Sequence, residues 1–106
     1  MSIHMTAEYR VRPDAVDQVA AAIRTFVSEI STTEPGTRLY AAWQDERDPV
    51  HFFHHFIFDD EAAEQSHRSS SAVKEFTTLL YPQTVSGVHF TRYRELAAHH
   101  RAGGAA

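Results

Sequence analysis

HFFHHFIFDD, residues 51–60, places three histidines within five positions of one another. Whether this run is helix or strand decides what those histidines are for. As a helix, His51, His54 and His55 would share one face at i, i+3 and i+4, a good metal-chelating spacing. The run from His51 to Phe58, however, holds four phenylalanines and an isoleucine in eight residues, a composition that belongs in a sheet. In a strand His54 and His55 face opposite sides, while His51 and His55 share a side with their backbones roughly 13 Å apart. Zinc ligands need their nitrogens about 2 Å from the metal, so the local chelate fails. A cross-strand site using His4 or His89 stays open, but no spacing supports it, and no metal is expected. The strand then has two faces, Phe52, His54, Phe56 and Phe58 on one, His51, Phe53, His55 and Ile57 on the other. His54 or His55 either lines a pocket or is a satisfied structural histidine.

Upstream, Ile3, Met5, Ala7, Tyr9 and Val11 alternate with His4, Thr6, Glu8, Arg10 and Arg12, which predicts a strand with one buried face. Pro13 opens a helix, where its missing N–H costs nothing. Val16, Val19, Ala20, Ile23, Phe26, Val27 and Ile30 recur at helical spacing as one apolar stripe. The polar face of that helix is not basic, which argues against a membrane-binding amphipathic helix. STTEPG stops it at Pro35 and Gly36. A second strand follows over about Arg38–Gln44, with Leu39, Ala41 and Trp43 opposite Tyr40 and Ala42. After the polar turn DERDP comes the histidine strand. DDEAAEQSHRS and SAVKEFTTLLYP then read as two short helices or one broken helix, with Asp59 or Asp60 as N-cap and Pro82 as the stop. Val73, Phe76, Thr77 and Leu80 form the buried stripe of the second piece. A last strand runs from about Val85 to Tyr93.

The order is β-α-β-β-α-β, the ferredoxin-like α+β arrangement of a four-stranded antiparallel sheet with helices on one face. At 106 residues the chain has the size of one domain, expected over residues 1–96, with residues 97–106 a flexible C-terminal tail. With 42 % apolar and 23 % charged residues it reads as an ordinary globular protein, and a net charge of −4 argues against a nucleic-acid partner. No window approaches the roughly 18 apolar residues of a membrane span, and no export signal is evident, so the cytoplasm is the expected compartment. Zero cysteines exclude disulfides, thiol chemistry and iron–sulfur ligation. Both faces of the third strand are aromatic, although helices cover only one. The other face therefore marks an interaction surface, which face-to-face homodimerisation would bury.

The strings AEYRVRPDAVDQV, EPGTRLYAAWQ and FIFDDEAAEQSHRSSSAVKEF resemble the antibiotic biosynthesis monooxygenase family over about residues 3–94. The pieces that carry the resemblance are the charged residues around the first strand and the Glu34-Pro35-Gly36 turn followed by Tyr40. A third is the D-x-x-A-x-x-x-H-x-x-S pattern from Asp60 through His67 to Ser70. The resemblance implies a homodimeric α+β barrel and, in its enzymatic members, a monooxygenase working without metal, haem or flavin. In that chemistry a quinol, anthrone or polyketide-like aromatic is deprotonated, and the resulting anion itself reduces dioxygen. The protein supplies a dry aromatic pocket and a base.

His67 matches the family's helix histidine. An imidazole, with an ordinary pKa of about 6.5, suits a general base or hydrogen-bond anchor, and equally a helix-end residue that merely packs. Trp43, Phe52, Phe56 and Phe58 are candidate pocket walls or plain core or interface. Tyr9 and Tyr40 are candidate partners of a substrate oxygen, or tyrosines bonded to backbone. Arg10 and Arg92 either stabilise an oxyanion or lie on a solvated strand face. Phe56 and Phe58 stand where many family members carry a Glu-x-Trp pair, and Ala72 replaces a second helix histidine. The absence of asparagine argues against the haem-degrading branch. Two other functions fit the same scaffold, a non-catalytic dimer binding a small apolar ligand and an isomerase- or cyclase-type enzyme.

Overall fold

A computed structural model describes residues 1–101. The elements are β1 (Ile3–Val11), α1 (Val16–Thr33), β2 (Thr37–Gln44), β3 (His51–Phe58), α2 (Glu61–Arg68), α3 (Ser71–Leu80) and β4 (Thr84–Tyr93). The strands form one antiparallel sheet in the order β2-β3-β1-β4, the ferredoxin-like topology. HFFHHFIF is therefore a central strand, hydrogen-bonded on both sides. Phe52, His54, Phe56 and Phe58 are all buried, while the residues between them are half-buried on the opposite face.

The alternation in β1 and the stripe of α1 lie as expected. Val19, Ile23, Phe26 and Ile30 of α1 pack with Ala72, Phe76 and Leu80 of α3 against Tyr9, Val11 and Phe52 of the sheet. A second cluster of Ile3, Ala7, Phe56 and Phe58 lies at the other end of the same face. Pro13–Ala15 forms a 3₁₀ turn ahead of α1, not its first α-helical turn. The second helical region is two helices. Ser70 is extended, and its side chain accepts a hydrogen bond from the Val73 backbone N–H at 3.2 Å, so the serine run caps a new helix in place of continuing α2. Asp60, rather than Asp59, caps α2 by accepting from the Ala63 N–H at 2.9 Å.

Two irregularities shape the sheet. In β4, Ser86 and Gly87 both have positive φ, 71° and 76°, where the register against β1 shifts between Glu8 and Arg10. Gly87 adopts that conformation freely, and the bulge twists the edge strand. At the other edge Glu34 caps α1, its backbone N–H donating to the Ile30 carbonyl at 3.0 Å, and Gly36 follows. The Gly36 carbonyl accepts from the Asp59 N–H at 2.9 Å, and a Cβ on Gly36 would lie 2.6 Å from the Ala63 Cβ. The turn thus seats α2 directly on the end of α1.

Beyond Tyr93 the chain has no helix or strand through residue 101, and residues 97–101 are exposed; the remainder of the expected tail, 102–106, lies outside the described residues. Among the described residues no helix is long and apolar enough to cross a membrane. Gly36→Ala is expected to lower stability by about 1–3 kcal/mol, because the contact is with a short side chain that cannot swing away. Urea unfolding measures it. An unchanged midpoint would show that α2 is not held by this approach.

Candidate active site

Between the inner face of the sheet and the helices lies a cavity of about 350 Å³, within the roughly 300–1,000 Å³ typical of small-molecule sites. Its floor is Ala7, Tyr9, Tyr40, His54, Phe56 and Phe58, and its roof comes from all three helices, including Phe26, His67, Val73 and Phe76. Tyr81, Phe90 and Arg68, the exposed lining residues, mark its mouth beside β4. Besides Thr77 and the Glu64–Arg68 ion pair, two more deeply buried polar constellations interrupt the apolar wall.

The first is a buried pair. His67, in the last turn of α2, donates from Nδ1 to Glu34 Oε1 at 2.7 Å, and both side chains are nearly inaccessible. Glu34 Oε1 also accepts from the Thr37 hydroxyl at 2.9 Å, whereas Oε2 is buried with no partner among the described residues. A carboxylate on Nδ1 selects the tautomer whose lone pair is on Nε2. That nitrogen has no hydrogen-bond partner among the described residues. The rings of Phe58 at 5.0 Å, Tyr40 at 5.9 Å, and Phe26 and Phe56 at 6.0 Å surround the imidazole. The pair therefore has the construction of a general base, an imidazole oriented from behind in a dry apolar setting.

The second is a chain of three side chains. His54 lies in β3 opposite Ala7 of β1 and Ala42 of β2. These small partners leave lateral room, and the diagonal tyrosines fill it. The Tyr9 hydroxyl lies 2.7 Å from His54 Nε2, and the Tyr40 hydroxyl 2.7 Å from His54 Nδ1. Burial pushes the His54 pKa down from 6.5 to about 4, so the ring is neutral. Burial raises Tyr9, and it raises Tyr40 well above the usual phenol range, with the charges of Tyr9 and Glu34 adding to the effect.

Of the residues the sequence singles out, the fold brings Tyr9, Tyr40, His54, Phe56, Phe58 and His67 to one cavity. Trp43 is not a wall of it. It lies on the opposite face of the sheet, 53 % exposed, stacked on Phe53 and His55. Phe52 is buried core stacked on Tyr9, outside the lining. The other two histidines of β3 also face away. His55 stacks with His4 at 6.4 Å, and His51 sits between Glu8 at 2.6 Å and Asp45 at 3.2 Å, which hold its pKa above the ordinary value. Arg10 pairs with Asp48, and Arg92 donates to both oxygens of Glu61 at 3.1 Å; neither lines the cavity. Among the described residues no three His, Asp or Glu side chains converge as a metal set. Glu34 was legible only as part of a turn. Its 33-residue separation from His67 hides the pair from any local spacing rule.

A small α+β domain with an aromatic cavity between sheet and helices defines the structural class. The chain belongs to the antibiotic biosynthesis monooxygenase family, whose sequence profile matches residues 2–79. It is similar to a crystal structure named antibiotic biosynthesis monooxygenase, with 21% identity over 90% of this chain and 99% of that one and a TM-score of 0.82. A Mycobacterium tuberculosis protein is 17% identical over 92% of this chain and 98% of its own, with a TM-score of 0.83. A conserved protein from Methanosarcina mazei Go1 is 22% identical over 90% and 93%, with a TM-score of 0.81. At these identities the likeness establishes the fold. No protein of curated function matches the chain.

The buried neutral His54 has a consequence for stability. Its folded pKa is depressed, so its contribution is complete above pH 6.5 and is lost as the pH falls towards about 4, where the unfolded chain binds a proton that the folded protein refuses. The loss is on the order of 3 kcal/mol across that window. His51 has the opposite sign, its contribution being complete below its ordinary value and lost as the pH rises, so it does not add to the acid loss and opposes it at the upper end of the window. Denaturant unfolding between pH 7 and about pH 4 measures the effect. His54→Gln should flatten the slope, and an equal slope in the variant would assign it to other groups.

Proposed function

We propose that the protein is a cofactor-independent monooxygenase that oxidises a quinol, anthrone or polyketide-like aromatic with dioxygen. The observation that carries this reading is the His67–Glu34 pair, whose imidazole lines a cavity walled mostly by aromatic and aliphatic side chains. His67 Nε2 takes the proton of a substrate O–H or activated C–H. Glu34, hydrogen-bonded to Nδ1, holds the ring and stabilises the imidazolium that forms. The electron-rich anion left in the pocket reduces dioxygen directly. For an anthrone, the ring CH₂ becomes C=O, one oxygen atom enters the product and the other leaves as water, so four electrons come from the substrate and no external reductant is needed. Phe26, Phe56, Phe58 and Phe76 keep water from the anion.

The reading extends to a homodimer. The sheet face away from the helices exposes Leu39, Trp43 at 53 % and Tyr93 at 55 %, alongside half-buried Phe53, His55 and Ile57. A second copy laid face to face would cover this apolar surface, which a monomer would leave in water. Light scattering at micromolar concentration is expected to give twice the 12.0 kDa chain mass. Trp43→Glu should shift the value to that of one chain. A monomeric wild-type protein would end the dimer reading.

A second reading, ligand binding without turnover, is favoured by Phe56 and Phe58, whose rings lie 6.0 and 5.0 Å from that of His67 and add no proton-transfer group to the Glu34 pair. Oxygen consumption with an anthrone or a reduced quinone separates the two. The wild-type protein should consume oxygen, and His67→Ala should slow it by about 10²- to 10⁴-fold, the usual worth of a general base. Glu34→Gln keeps the shape and removes the charge, and is expected to lower kcat more than it raises KM. No uptake above buffer with either substrate, or full activity in His67→Ala, would refute the catalytic assignment.

A further inference from the structure

We infer that the Tyr9–His54–Tyr40 chain is a second oxygen-binding point of the cavity, holding a carbonyl or phenolate oxygen of the aromatic ligand through one tyrosine hydroxyl. This rests on the reading that the cavity takes an oxygen-bearing aromatic. The three side chains carry one proton more than their mutual hydrogen bonds use. A neutral imidazole has one N–H donor and one acceptor nitrogen, and each tyrosine hydroxyl has one proton to give. His54 is bonded at both nitrogens to tyrosine hydroxyls, each at 2.7 Å. One tyrosine therefore donates to the ring and the other accepts from it. The accepting tyrosine keeps its own proton, and neither hydroxyl has another partner among the described residues. The count is the same for either tautomer. With Nδ1 protonated the spare donor is on Tyr40, and with Nε2 protonated it is on Tyr9.

Two observations place the spare proton in the cavity. Tyr9, Tyr40 and His54 all line it, beneath Phe76, whose ring lies 6.0 Å from that of His54. Of the other lining residues, Phe26, Phe56, Val88 and Leu80 are apolar, and the acceptors Glu64, His67 and Thr77 make no hydrogen bond to either hydroxyl. A hydroxyl proton with no acceptor among the described side chains offers one hydrogen bond to an acceptor oxygen entering the cavity. Burial keeps His54 neutral and both phenols protonated, which holds the chain in its donating form. Tyr40 is also 5.9 Å from the His67 ring, centroid to centroid, so the base and the donor serve one ligand. The substrate class this selects is a planar aromatic with two functional positions, an acidic O–H or C–H facing His67 and an oxygen acceptor facing the tyrosines.

Calorimetric titration with 9-fluorenone and with fluorene tests this, since the two differ by one carbonyl oxygen. Each is titrated into wild-type protein, His67→Ala and Tyr9→Phe/Tyr40→Phe. In wild type and His67→Ala, the preference for fluorenone relative to fluorene should exceed that of the double tyrosine variant by about tenfold. The infrared carbonyl stretch of fluorenone bound to wild-type protein should also fall below its value in an apolar solvent. That second measurement needs no variant to fold. If both probes bind, and the preference and the stretch are unchanged, the tyrosine site is wrong while the cavity reading stands. If neither probe binds, the cavity reading fails with it.

Discussion

A histidine in the middle of a central strand, under a layer of helices, has to be neutral and has to have both ring nitrogens satisfied. Much of this structure follows from how His54 meets that requirement. A charged imidazole there would lose its hydration, which is why the folded protein resists its protonation. Directly opposite it on the neighbouring strands stand two alanines, Ala7 and Ala42, and diagonal to it two tyrosines. Larger residues at the alanine positions would fill the lateral space through which the phenols reach the ring. The hydrogen-bonded chain thus ties β1, β3 and β2 together on the buried face, at the depth where the cavity opens. A polar network at such a site specifies the strand register, because a slip by one residue would turn His54 to the outer face and bury His55 in its place.

The second constraint is the Glu34-Pro35-Gly36 turn. Each residue has a separate physical task. Pro35 prevents continuation of α1, Gly36 leaves to Ala63 of α2 the space a Cβ would take, and Glu34 presents the carboxylate that α2 turns His67 towards. The pairing is only possible because the turn has already brought the helix in. One carboxylate oxygen accepts two hydrogen bonds, from His67 and Thr37, while the other is buried without a partner among the described residues. The carboxylate is thereby held out of solvent beside the imidazole. Its negative charge is felt by Tyr40 on the cavity floor. Tyr40 thus stands beside both polar constellations, hydrogen-bonded to His54 and with its ring 5.9 Å from that of His67, where Phe56 and Phe58 pack against the imidazole.

Much of the fold and part of the site were written locally. Alternation in Ile3–Val11 and the aromatic run at 51–58 identify strands, the seven-residue stripe from Val16 to Ile30 identifies the long helix, and Pro35 marks its stop. His67 could be named from the pattern around it. Glu34 could not be given a role, because a hydrogen bond across 33 residues has no periodic signature. Trp43 and Phe52 show the complementary limit. An aromatic residue on a strand is as suitable for a cavity wall as for a core or an outer face, and only the packing of helices on one side of the sheet separates these fates.

By itself, then, the sequence determined the order of elements, the two faces of β3 and the failure of its histidines to chelate a metal locally, because each depends on periodicity along one strand or helix. The tertiary structure alone decided which face of β3 lies under the helices, that His54 is held between Tyr9 and Tyr40, and that Glu34 stands behind His67. Those facts depend on strand order, on the diagonal reach across small neighbours and on the close seating of α2. Each is a relation between segments far apart in the chain, fixed only when burial of the apolar faces brings them together.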